Sequence, residues 1–277
     1  MKHIRATAWT GVTVIALAAS SACGAGVEKK TADAVNNAHT IMSTLTRASE
    51  KASKFGSAEV ESTTTVTGGK PITMRGTYSW GDGAAMDVQM DTASAQMQAL
   101  QDAPTTTMKL VHGAYFYGID PQQAGPLKGK HWMRIDVSAV AGASGAKAIE
   151  ADADPTAGLR NIGASKDVKD VGEETIRGRK TTHYRGSVKA LSIANVATQG
   201  KKSPAQAPKA GSGKTTVDIW VDAKNLPVRV TQRGGGLTNT MDFLRFGTTK
   251  KITAPPAADT GDLTDQVTKQ REQSLGQ

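Results

Sequence analysis

Few residues in this chain have the type and spacing that could do chemistry, and each such group fails on its neighbours. Ser212–Gly213–Lys214–Thr215 has the wording of a phosphate-binding loop. Such a loop needs a glycine five residues before Gly213, a strand ahead of it and a helix behind it. Here that position is Pro208, a Pro/Ser/Ala/Gly/Lys stretch leads in, and a strand pattern follows. The five histidines are scattered, with none at the spacing zinc ligands take. His183 reads as a surface residue of a strand. No Gly-x-Ser-x-Gly elbow is present. Asp82, Asp87 and Asp91 fall in a turn and on the polar face of a strand, where carboxylates are solvated. These residues assemble no active site. The expectation is a protein that is not an enzyme and uses no cofactor and no metal.

The one cysteine is different. Cys23 follows a positive start (Lys2, His3, Arg5) and an apolar, small-residue run from about Ala8 to Ala19. That layout is a secretory signal over residues 1–22, too short for a membrane span of ~20 residues. A lone cysteine has no partner for an internal disulfide and no company for a metal. With Ser21 and Ala22 before it and Gly24 after it, Cys23 resembles a lipobox cysteine, although Ser20 stands where Leu or Val is usual. That resemblance implies acylation (palmitate) at Cys23 and a lipid anchor on the extracytoplasmic face of the cell membrane. Residues 23–30 are then a lipidated tether. The net charge of +9 falls to +7 once Lys2 and Arg5 leave with the leader. The remaining cations are dispersed, with no nucleic-acid-binding pattern.

The elements that position the rest alternate at two periods. From Thr31 to Phe55, Ala34, Ala38, Ile41, Met42, Leu45, Ala48, Ala52 and Phe55 step by three and four, which predicts one amphipathic helix stopped by Gly56. Period-two runs follow at Ala58–Thr67, Lys70–Trp80, Ala84–Asp91, Thr106–Val111, Ala114–Ile119 and His131–Val137, with turns at Gly81–Asp82–Gly83 and His112–Gly113. Thr92–Pro104 reads as a polar connector. Ser138–Asp154 is Ala/Gly-rich and weakly patterned. A short helix is predicted over Thr156–Ser165, strands return over Val168–Lys189, and a short amphipathic helix follows over Ala190–Gln199. In Thr215–Gln232, Val217, Ile219 and Val221 share one face, and Asp218, Trp220 and Asp222 the other. After the turn at Ala223–Lys224–Asn225, Val228 and Val230 continue the apolar face. Asn239–Phe246 adds another strand, and 257–277 reads as a polar tail whose last residues, Asp262–Gln277, form a frayed helix. About ten strands at hairpin spacing, with no alternating βα units, make this an α+β chain built on a curved antiparallel sheet.

Two stretches carry a family resemblance. DVKDVGEETIRGRKTTHYRGSV, and the hairpin that runs from Trp220-Val221-Asp222 to Leu226-Pro227-Val228-Arg229, resemble the corresponding segments of bacterial envelope lipoproteins with a LolA-like fold, the LppX/LprA/LprG type. Cys23 and the first helix stand in the same order as in that family. The resemblance covers about residues 30–256. It implies a half-barrel sheet whose concave face is covered by a long N-terminal helix and short helices, binding lipid acyl chains. Function would then be lipid or lipoglycan transfer across the envelope by a membrane-anchored monomer, with 31–256 as the lipid-binding domain.

The cavity lining implied is Ile41, Met42 and Leu45 of the helix, with Met74, Met86, Val88, Met90, Met108, Val217, Ile219 and Val228 of the sheet. Methionine adapts to irregular partners. With 38% hydrophobic but only 4% aromatic residues, few rings fill the space. Taken alone, the same pattern fits a plain hydrophobic core equally well. The alternative is a regulatory or structural surface lipoprotein with a closed core, acting through protein contacts.

Overall fold

The computed structural model describes residues 24–152, 157–163, 165, 167–189, 214–247 and 249–275. Cys23, the leader, the helix expected at Ala190–Gln199 and the Ser212–Thr215 motif's first two residues lie outside the described residues. The chain divides into two units, Met1–Asn37, described only as helix from Gly24, and Ala38–Gln277.

Helix α1 runs Gly24–Phe55, so the expected tether is helical. It stops at Gly56, whose positive φ of 66° and N–H bond to the Ser53 carbonyl close the last turn. Twelve strands follow. They are β1 (Ser57–Val66), β2 (Ile72–Ser79), β3 (Ala85–Asp91), β4 (Thr105–Val111), β5 (Ala114–Gly118), β6 (Trp132–Asp136), β7 (Lys169–Ile176), β8 (Arg179–Lys189), β9 (Lys214–Asp222), β10 (Pro227–Gly234), β11 (Leu237–Phe246) and β12 (Thr260–Asp262). They form one unclosed sheet, ordered β12-β6-β5-β4-β3-β2-β1-β11-β10-β9-β8-β7. All pairs are antiparallel except β12 with β6. The architecture is α+β, as expected, and the native twist of so wide a sheet makes it curve. The β4–β5 and β7–β8 hairpins turn on His112–Gly113 and Arg177–Gly178, all four with positive φ, the two-residue geometry that matches strand twist.

Two segments differ from expectation. Ser138–Asp154, which carries no clear pattern, lies largely in helix α2 (Val137–Asp152), broken at Gly142, where φ is 73°. The polar tail supplies β12 to the sheet edge, which was not expected, and then helix α4 (Thr264–Leu275), where a frayed helix was expected and which packs on α2. Helix α3 (Ala157–Gly163) sits where a short helix was expected.

The core lies in two main clusters. Ile41, Leu45 and Ala48 of α1 and Leu159 and Ile162 of α3 pack on Val60, Val217, Ile219, Val221, Val230 and Phe243 of β1 and β9–β11. Val137 of α2 packs on Met86, Val88, Met108, Leu110 and Tyr115 of β3–β5. Tyr78 of β2 touches both clusters. Burial pushes its phenol well above the ordinary range, so it stays neutral.

Candidate functional site

Period-two alternation places the side chains of β2–β4 and β9–β11 on one face, and α1, α2 and α3 cover that face. Of the eleven expected lining residues, Ile41, Leu45, Val217 and Ile219 come together under α1 and α3. Met86, Val88 and Met108 come together under α2, with Met74 and Met90 packed against them. Val228 is fully buried but outside these two clusters. Met42 is a correction: it is 44% exposed. The buried positions of α1 are 41, 45, 48 and 52, and a residue one step from Ile41 is turned about 100° off that stripe.

The two clusters differ in character. Under α1 and α3, Leu45, Leu159, Ile162, Ile219 and Phe243 are completely buried. Two helices and branched side chains fill that space as a packed core does. Under α2, Met86 and Met108 are buried with Val88, Leu110, Tyr115 and Val137, Met74 and Met90 pack at the edge, and the cluster borders a cleft of about 910 Å³. Leu110, Val137 and Ala146 belong to the cluster and also line the cleft. The other walls include Phe55 at the end of α1, Ser79 of β2, Val111 of β4 and residues 249–254 after β11. None of the eleven expected residues faces this cleft directly.

The opposite face of β7–β11 carries a charge network that the strand pattern read as a wet face. Asp218 is completely buried. Its carboxylate accepts from Arg185 Nε at 2.6 Å and from Arg233, and lies 2.7 Å from His183 Nε2. The other ring nitrogen, Nδ1, is 2.8 Å from Glu174, which also accepts from Trp220 Nε1 at 2.9 Å. The His183 ring stacks on Trp220 with centroids 4.2 Å apart. Beside this, Arg229 grips Asp242 with two nitrogens at 2.6 and 2.8 Å, and Arg177 bridges Asp242 and Glu61. Burial works to raise the Asp218 and Asp242 carboxyls, but hydrogen bonds and charges from the arginines outweigh it and hold both below the ordinary carboxylate value. Arg185 stands directly opposite Asp218 in the β8–β9 register, and Arg229 opposite Asp242 in β10–β11. This pairing follows from register, which the sequence does not display.

Chemically the network is occupied with itself. Both nitrogens of His183 face carboxylates, which leaves neither to activate a hydroxyl or thiol. Among the described residues no group of three or more His, Cys, Asp or Glu is arranged to hold a metal ion. No helix among them is long and apolar enough to cross a membrane.

Comparison with known proteins agrees with this geometry. No family model matches the chain. It is 30% identical over 241 residues to an uncharacterized 31.2 kDa protein of the rplA–rplJ intergenic region of Streptomyces griseus, covering 80% of this chain and 79% of that one. It is 28% identical over 229 residues to the Streptomyces coelicolor protein named "Putative lipoprotein SCO4650", covering 78% and 73%. The crystal structure of the lipoprotein LppX of Mycobacterium tuberculosis superposes with a TM-score of 0.50 at 11% identity, over 77% of this chain and 98% of LppX. These likenesses extend over most of each relative: the chain belongs to the family of these two Streptomyces proteins, one of them named a putative lipoprotein, and has the fold of the lipoprotein LppX.

Proposed function

We propose that the protein is held to the extracytoplasmic face of the cell membrane through acylated Cys23, and that it binds lipid acyl chains for transfer across the envelope. The observation that carries this reading is that the methionine-containing cluster under α2 adjoins, through Leu110, Val137 and Ala146, a cleft of about 910 Å³, a volume in the range of small-molecule sites. Burial of an acyl chain there contributes about 0.8 kcal/mol per CH₂. Unbranched methionines can re-pack around chains of different shape. The seat is narrower than the eleven residues first implied. It centres on Met74, Met86, Val88, Met90 and Met108, whereas Ile41, Leu45, Val217 and Ile219 serve as core.

The test is photocrosslinking of the full-length protein in nanodiscs doped with a photoactivatable long-chain fatty acid. Labelling concentrated on peptides of β2–β5 and α2 is expected. Labelling no greater than that of an unrelated nanodisc-held lipoprotein overturns the reading. The second reading, a closed-core lipoprotein acting through protein contacts, is favoured by the complete burial of Leu45, Leu159, Ile162, Ile219 and Phe243. It predicts that negative result.

A further inference from the structure

The cleft beside α2 is lined by both apolar and cationic residues. Leu110, Val111, Val137, Ala146 and Ile252 form its apolar lining, and Phe55, 41% exposed, stands at it. Lys147 of α2 and Lys250 and Lys251 after β11 line it from separate elements. Among the described residues that line it, Asp82 is the one carboxylate and His112 the remaining titratable group. All three lysines are exposed, and none forms an ion pair or hydrogen bond among the described residues. This contrasts with the arginines of β8–β11, which are satisfied by carboxylates. Three free ammonium groups beside an apolar wall are a poor surface for a neutral ligand. They suit a molecule with a hydrocarbon chain and an anionic head.

We propose that this cleft is the headgroup site for an anionic acyl lipid. The charged head sits among Lys147, Lys250 and Lys251, and the chain runs past Leu110, Val137 and Ala146 onto the methionine cluster. Lysine is a compact cation with three rotatable donors, which fits a phosphate or carboxylate head presented at varying angles. Leu110, Val137 and Ala146 belong to both cleft and cluster, so the chain would reach the methionines by re-packing of these side chains. The inference rests on the acyl-binding reading above, and adds that the protein selects cargo by headgroup charge.

The experiment compares two photoactivatable probes of equal chain length, an alkyl phosphate and a neutral alkyl alcohol, in nanodiscs of zwitterionic lipid carrying the full-length protein. The variants are K147E/K250E/K251E and, as a charge-matched control, K128E/K130E/K224E; a K147Q/K250Q/K251Q variant serves should the charge reversal not fold. Each cation near an anionic head is worth roughly a fivefold factor, so the K147Q/K250Q/K251Q variant should label with the alkyl phosphate roughly a hundredfold less, and the charge reversal less still. Labelling by the alcohol should be unchanged, and the control variant should behave as the parent. Equal alkyl-phosphate labelling of parent and cleft variant overturns the headgroup site and leaves acyl binding standing. Loss of labelling by both probes in the parent overturns the acyl-binding reading itself. Competition by inorganic phosphate as strong as by unlabelled alkyl phosphate overturns the lipid as ligand and makes the site one for free phosphate.

Discussion

Replacing Ala146 by tryptophan separates the lipid seat from the core more cleanly than any change in the sheet. Ala146 lies on α2, packs against the methionine cluster and lines the cleft. A larger side chain there enters space that an acyl chain would use, without displacing a strand. A tryptophan covers about 150–250 Å². If it denies the ligand about 100 Å² of apolar contact, the loss at ~25 cal/mol per Å² is about 2.5 kcal/mol, roughly a fiftyfold fall in affinity. Folding stability should move by less than about 1 kcal/mol, because the ring occupies a void and leaves the close-packed core alone. The assay is fatty-acid photolabelling of the nanodisc-held protein, with urea unfolding as the control. A folded A146W protein that labels as the parent does would refute the reasoning. So would a large drop in stability, which would mean that the cleft is not open space.

Leu45→Ala removes a fully buried side chain under α1 and should cost about 3 kcal/mol in urea unfolding, with labelling per folded molecule unchanged. Gly76→Ala would set a Cβ 2.1 Å from the Asp87 carbonyl oxygen and 2.7 Å from Val88 Cα, forcing β2 from β3; loss of the cooperative unfolding transition is expected. Asp218→Asn strips the buried charge that Arg185, Arg233 and His183 share, and should destabilise by about 3 kcal/mol. Asp218 and Asp242 both titrate below their ordinary value of 3.8 in the folded protein. Their contribution is therefore complete above about pH 4 and is lost as pH falls through the folded values. Acid unfolding of the parent should steepen below pH 4, and D218N should flatten that limb; an identical acid limb in both would contradict the assignment.

Much of the sheet was legible because its signal is local. Alternation such as Met86-Asp87-Val88-Gln89-Met90, punctuated by Gly81–Gly83 and His112–Gly113, specifies strand, face and turn within a few residues. What depended on distant partners was not. Helix α2 has an Ala/Gly-rich sequence with no stripe, and Val137, Ala139 and Ala146 gain their role only by meeting β3–β5 and α4. The three residues of β12 are too few to show a period and are held by parallel pairing with β6, more than a hundred positions away. Asp218 reads as a solvent-facing residue of an alternating strand until register sets Arg185 opposite it. The cleft joins the end of α1, two hairpin turns, α2 and the segment after β11. No local pattern announces such a convergence. The family resemblance supplied the idea of a lipid seat, and the residues it implied divide between the better-packed half of the core under α1 and the cluster under α2.

The central claim, that the protein carries lipid, is tested most directly by native mass spectrometry of the full-length protein taken from a bacterial envelope, compared with its denatured mass. Extra mass is expected in the native species beyond any covalent anchor, lost on denaturation and recovered in organic solvent as an acyl lipid. A native mass equal to the denatured mass, from protein that also fails to take up an added long-chain alkyl phosphate, would contradict it.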